Sequence, residues 1–196
     1  MSDRTTHLLY LHGFRSSPQS TKAQLIQAAV LQRHPEVIWC APQLPPSPRL
    51  AMEQVSGLIA GWPGHSMGVV GSSLGGFYAS WVARQTGCRT VLLNPAVDPA
   101  RDLARHIGKY QLWHHPGESF DFKDEYVDQL KQMRLEGPLS PGPELAIIAK
   151  GDEVLDWREM SLRYVSARQI VLPGGDHAIS DFDQHLDEVL KFLNLD

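Results

Sequence analysis

The sequence predicts a three-layer α/β fold, a mostly parallel sheet of about six strands with helices on both faces. Three observations lead there. Short apolar runs recur from one end of the chain to the other. Longer stretches with apolar residues at helical spacing lie between them. Glycine- or proline-rich segments close the runs, as turns require. Strand and helix in alternation along the whole length argue parallel strands joined by helical crossovers.

The first run, Leu8 to Leu11, has no polar alternation and reads as a strand buried on both faces. His12-Gly13-Phe14-Arg15-Ser16-Ser17-Pro18 is a loop. A helix follows from Thr21 to Arg33, where Thr21 and Gln24 match a capping box and Ala23, Ile26, Ala29 and Val30 share a face. Val37 to Cys40 is a second strand. The proline-rich stretch Pro42 to Pro48 lacks the backbone donors of regular structure. Leu50 to Ile59 is a helix, Gly68 to Gly71 a third strand, and Gly76 to Gln85 the helix behind it. Thr90 to Leu93, Leu145 to Ala149 and Gln169 to Leu172 complete the strands. Phe182 to Leu193 is a terminal helix with Phe182, Leu186, Val189, Leu190 and Leu193 on one face. Residues 98–143 interrupt the alternation. They hold Trp113, His114, His115, Phe120, Phe122 and a helix from Asp124 to Met133. Placed after the fourth strand, they read either as a lid or cap at the sheet edge where substrates enter or as a surface excursion that its aromatics anchor to the body.

Composition narrows the function. A length of 196 residues favours one domain covering residues 1–196. With 42% hydrophobic and 20% charged residues, this is the composition of a soluble globular protein. The formal charge of −4, without a basic run, argues against nucleic acid as a partner. No apolar run has the length of a membrane span. Met1 to His7 lacks the apolar core of a secretory signal. Cys40 and Cys88 read as two reduced thiols. The expected location is the cytoplasm.

Gly71-Ser72-Ser73-Leu74-Gly75 spells G-x-S-x-G between an apolar strand and an amphipathic helix. That order is the setting of a nucleophile elbow, a turn so sharp that the flanking residues need to be without side chains. Ser73 is the candidate nucleophile. A serine hydroxyl needs a base within hydrogen-bond reach, and the base needs an orienting acid. Of nine histidines, His177 is the candidate base, because Gly174-Gly175-Asp176-His177 follows the sixth strand directly. Asp152, just past the fifth strand in Gly151-Asp152-Glu153, is the candidate acid. Its rivals are Glu153, Asp156, Asp98 and Asp176. Leu74 and Phe14 are the candidate oxyanion donors through their backbone N–H groups. His12 reads as a structural residue whose ring holds that loop. His114-His115 lacks a third ligand at useful spacing, so no metal is expected. No cofactor is expected either. C-x-x-C and P-loop patterns are absent, and Ser73 replaces the second glycine of a dinucleotide-binding turn. Nothing in the sequence names substrate-binding residues.

These segments together resemble the YqiA-type esterase family, small single-domain proteins of the α/β-hydrolase fold. The resemblance rests on Leu9-Tyr10-Leu11-His12-Gly13-Phe14 with Ser16-Ser17-Pro18-Gln19-Ser20 and Lys22-Ala23, on Gly71 to Gly76, on Leu93-Asn94-Pro95-Ala96, on Gly151 to Asp156, and on Gly175-Asp176-His177. It implies hydrolysis of small acyl esters, or acyl-CoA thioesters, through an acyl-enzyme on Ser73, with Asp152 and His177 in the roles above. Arg15 departs from the smaller polar residue expected there, which bears on specificity at the entrance. Two competing readings share the fold: a binding or interaction module without turnover, and an acyltransferase that excludes water.

Overall fold

Hydrophobic alternation within the strands sets the layers. In the computed structural model, which describes residues 4–112, 115–137 and 141–196, strand β1 (His7–Leu11) points Leu8 and Tyr10 to one face and Leu9 and Leu11 to the other. Helix α1 (Thr21–Arg33) leads to β2 (Ile38–Cys40), and α2 (Pro48–Ile59) leads to β3 (Met67–Ser72). Then come α3 (Leu74–Thr86), β4 (Arg89–Leu93) and α4 (Pro99–Leu103). A hairpin of β5 (Gly108–Leu112) and β6 (His115–Phe122) precedes α5 (Asp124–Gln132). The chain closes with β7 (Glu144–Ala149), α6 (Trp157–Arg163), β8 (Arg168–Leu172) and α7 (Leu186–Phe192).

Six strands pair in the order β2-β1-β3-β4-β7-β8, and every pairing is parallel. The expected α/β fold is the one observed. Leu8, Tyr10, Val70, Val91 and Ile147 pack under α1 and α7 with Ile26, Val30, Val189 and Leu190. Leu9, Leu11, Val69, Leu92 and Ile148 pack on the opposite face against α2, α3, α5 and α6. Each such buried aliphatic side chain stabilises the fold by about 1.5–3 kcal/mol relative to leaving it exposed. The chain starts at β1, moves outward to β2, then crosses back to β3. The strand order therefore reverses between β1 and β3, the place where open α/β sheets leave a crevice at their carboxyl ends.

Several local expectations are corrected. The Thr21–Gln24 capping box does not form. Ser20 is the N-cap, with extended backbone and no side-chain cap bond, and its carbonyl takes the Gln24 N–H at 3.0 Å. Pro48 belongs to α2 at its first position, where a missing N–H costs nothing, and Ser47 caps it. Helix α3 starts at Leu74 rather than Gly76, because the elbow passes straight into it. The terminal helix is split into a 3-10 turn, Phe182–His185, and α7. Residues 98–143 hold α4 and the hairpin besides the expected helix. Trp113 and His114 lie outside the described residues.

Candidate active site

Ser73 sits between β3 and α3 with φ 56° and ψ −121°, a left-handed backbone that a non-glycine residue rarely adopts. Backbone bonds hold it there, among them a long one from the Phe77 N–H to the Ser73 carbonyl at 3.4 Å. Its N–H donates to the Leu93 carbonyl at 3.0 Å, and its carbonyl accepts from Gly76 at 2.9 Å and Ala96 at 3.0 Å. The glycines of the motif are steric necessities. A Cβ at Gly75 would collide with the Leu11 carbonyl oxygen, and one at Gly71 with the Gly75 carbonyl. Helix and strands approach at backbone contact, and only Gly75 and Gly71 allow it.

Loops at the carboxyl ends of three strands converge on this turn. His177, past β8, places Nε2 at 3.0 Å from Ser73 Oγ. Its Nδ1 lies 2.7 Å from Oδ2 of Asp152, past β7. The Asp152 side chain is fully shielded from solvent, and its other oxygen accepts from the N–H groups of Val154 and Leu155, both at 2.8 Å. A carboxylate so fixed holds an Nδ1–H tautomer and leaves Nε2 as an acceptor toward the serine hydroxyl. The rival acids are engaged elsewhere. Glu153 accepts from the His177 backbone N–H at 2.9 Å. Asp156 and Asp98 cap α6 and α4 through bonds from Arg158 N–H at 2.9 Å and Arg101 N–H at 3.2 Å. Asp176 accepts from the Ser180 N–H at 2.9 Å and its hydroxyl at 2.6 Å, and those bonds hold its carboxyl below the usual range.

The loop after β1 lies against Ser73: a Cβ on Gly13 would sit 3.1 Å from the Ser73 Cβ. Leu74 is the first residue of α3, so its N–H has no partner within the helix. Phe14 and Leu74 line one cavity of about 210 Å3 with Ser73, His177, Leu103 and Leu155. His12 is buried behind the loop. Its Nε2 accepts from the Leu44 N–H at 3.0 Å, which leaves Nδ1 to donate to the Gly13 carbonyl at 2.9 Å. The ring ties the loop to the proline-rich segment and does not reach the serine through either bond.

Two supports were not singled out in the sequence. Asn94, buried at the end of β4 with φ 41°, accepts from the Ala149 N–H at 2.8 Å. Its amide donates to the carbonyls of Asp176 at 3.0 Å and His177 at 3.1 Å. It thereby fixes the histidine loop to two strand ends. Lys22 of α1 donates to the Ala178 carbonyl on the far side of the same loop. Burial pushes its ammonium down to about 8, against the pull of Asp176 and Asp152. Both stand in segments that carry the family resemblance, but lysine after a helix start and asparagine before proline have no distinctive spacing, so only the folded chain reveals what they bind.

The hairpin covers this edge. The Phe14 ring meets Phe122, Tyr110 and Phe120 edge-on, with centroids at 5.1, 5.6 and 5.6 Å. Beyond Phe14 lies a second cavity of about 350 Å3, lined among others by Leu44, Tyr78 and Phe120.

Sheet order, crossovers and the serine turn define a protein of the α/β-hydrolase fold. Solved structures agree over nearly the whole chain. Est1E from Butyrivibrio proteoclasticus, with ferulic acid bound, superposes with a TM-score of 0.72 at 15% identity, covering 97% of this chain and 87% of its own. Alpha/beta hydrolase domain-containing protein 10 from mouse gives 0.68 at 15%, over 98% and 92%. The Pyrococcus furiosus esterase Pf2001 gives 0.64 at 15%, over 97% and 81%. The chain belongs to UPF0227, an uncharacterised protein family whose model matches residues 7–194; this is the YqiA family that the sequence resembles. A UPF0227 protein of Vibrio parahaemolyticus is 23% identical over 189 residues, 95% of this chain and 99% of its own.

Proposed function

We propose that this chain is a serine hydrolase of small acyl esters or thioesters, with Ser73 as nucleophile, His177 as general base and acid, and Asp152 as its orienting carboxylate. The observation that carries the reading is the unbroken relay of 2.7 Å from Asp152 to His177 and 3.0 Å from His177 to Ser73. The esterases among the structural neighbours support it.

In this mechanism Ser73 Oγ attacks the acyl carbonyl carbon while its proton passes to His177 Nε2. The buried Asp152 carboxylate stabilises the imidazolium. The N–H groups of Leu74 and Phe14 receive the oxyanion, each worth about 3 kcal/mol when well placed. The tetrahedral intermediate expels the alcohol or thiol, which leaves with the proton from Nε2. Water then attacks the acyl-enzyme as His177 Nε2 accepts its proton, and collapse of the second tetrahedral intermediate breaks the bond to Ser73 Oγ, which takes that proton back as the acid departs. The 210 Å3 cavity suits a small acyl or alcohol group at the reacting centre. From the stretch after β4, Pro99, Leu103 and His106 line this cavity and act as its cap. Free thiols at Cys40 and Cys88, with no helix among the described residues long and apolar enough to cross a membrane, support a cytoplasmic place for the reaction. Ser73→Ala is expected to lose hydrolysis of 4-nitrophenyl butyrate by at least about 10³-fold while keeping its circular dichroism spectrum. Full activity in that variant removes Ser73 from the chemistry.

A further inference from the structure

The lining of the Ser73 cavity differs in charge from the chain as a whole. The whole chain carries −4. Yet Arg15 and Arg105 both line the cavity that holds Ser73 and His177. They reach it from separate elements, Arg15 from the loop after β1 and Arg105 from the 3-10 turn Ala104–His106 after α4. One acidic residue lines the same cavity, Asp102: its Oδ1 accepts from Arg101 Nε at 2.8 Å, an arginine it shares with Glu159, and its Oδ2 is buried away from the cavity surface without a partner among the described residues.

Arg15 is set in place at some backbone cost. It holds φ 60°, a left-handed conformation that favours glycine. Its guanidinium stacks on Tyr110 at 4.9 Å from the ring centre, and its Nε donates to the Gln111 carbonyl at 3.3 Å. Strand β5 of the hairpin thus aims the charge of the oxyanion loop. Both cations are felt at one point: the His106 imidazole, on the same wall, is pushed below its ordinary value by burial first and then by Arg105 and Arg15. Leu74, Leu103, Val154 and Leu155 make the remaining lining apolar, and apolar walls focus the field of a charge rather than screen it.

We propose that this site selects esters bearing a carboxylate, which Arg15 and Arg105 hold while the ester carbonyl reaches Ser73. A planar guanidinium matches a carboxylate in shape as well as charge. The inference rests on the esterase reading and deepens it by naming the substrate class.

The test uses two esters with one leaving group and one acyl length, 4-nitrophenyl hexanoate and 4-nitrophenyl hydrogen adipate. They differ only in the terminal carboxylate. The wild-type kcat/KM is expected to favour the adipate by about tenfold at low salt, with the gap narrowing in 0.5 M NaCl. Arg15→Gln is expected to shrink the ratio and Arg105→Glu to invert it. Arg105 is exposed, so its replacement leaves the core alone, and circular dichroism checks each variant. Equal kcat/KM for the two esters in wild-type protein, or a ratio unmoved in Arg105→Glu, overturns the proposal and leaves the esterase reading standing. Failure to turn over either ester in folded protein counts instead against the esterase reading. Calorimetric binding of the two esters to Ser73→Ala protein then decides the proposal: tighter adipate binding supports it, and equal affinity ends it.

Discussion

At residue scale, the proposed chemistry depends on one proton position. Asp152 has its Oδ1 filled by two backbone N–H groups and its Oδ2 against His177, so it can only accept. Asp152→Asn would present an NH₂ or a weaker acceptor to Nδ1 and favour the wrong tautomer at Nε2. We expect kcat for 4-nitrophenyl butyrate to fall by about 10³- to 10⁴-fold with little loss of stability, read by steady-state kinetics beside a thermal melt. A fall of less than tenfold would mean that another group orients the ring. Much of this site was legible in the chain. Ser73, Asp152 and His177 each stand within a few residues of a strand end, and a parallel sheet delivers all its carboxyl ends to one edge. Asn94 was not legible, because its role lies in bonds to residues 149, 176 and 177 that no local pattern records.

Among the elements, the sequence reading missed α4, α6 and the β5–β6 hairpin, and of these the hairpin covers the Phe14 ring. Its signal was present as alternation: Tyr110 and Leu112 on one strand, Phe120 and Phe122 on the other, separated by polar residues. Strands this polar on one face resemble a surface loop, and their apolar face gains meaning only when Phe14 is known to lie under it. Phe122 is 2% exposed and touches both Phe14 and Tyr126. Phe122→Ala should cost about 3–5 kcal/mol in denaturant unfolding. With the hairpin loosened from Phe14, KM for a small ester should rise as well. An unchanged KM alongside the lost stability would separate the hairpin from substrate binding. The capping box failed for a related reason: Ser20, not Thr21, takes the extended backbone that a cap needs.

At the scale of the whole molecule, the architecture followed from the simplest signal in the chain. Apolar runs without polar alternation suit strands covered on both faces, and the four central strands β1, β3, β4 and β7 are so covered, while the edge strands β2 and β8 are only partly buried. Among the buried polar groups that lack a partner, one has a large consequence for the dependence of stability on pH. Glu144, at the start of β7, has a buried Oε1 with no partner, and burial pushes its carboxyl up to about 7, with Arg163 opposing. In the unfolded chain the group ionises near 4.5, its unperturbed value. Between these values the native state holds a proton that the unfolded state has released, so this group lowers stability as pH rises from about 4.5 to 7. Glu144→Gln, which carries no charge at either pH, is expected to melt higher than wild type at pH 8, with the gain shrinking toward pH 4.5. Thermal melts across that range test it; a gain independent of pH would assign the effect to packing instead.

The central claim is that His177 makes Ser73 reactive, and covalent labelling tests it most directly. Wild-type protein treated with a fluorophosphonate should gain one adduct by intact mass, mapped by peptide sequencing to Ser73, and His177→Ala should lose it while remaining folded. An adduct on another residue, or an unlabelled Ser73 in folded wild-type protein, would contradict the account.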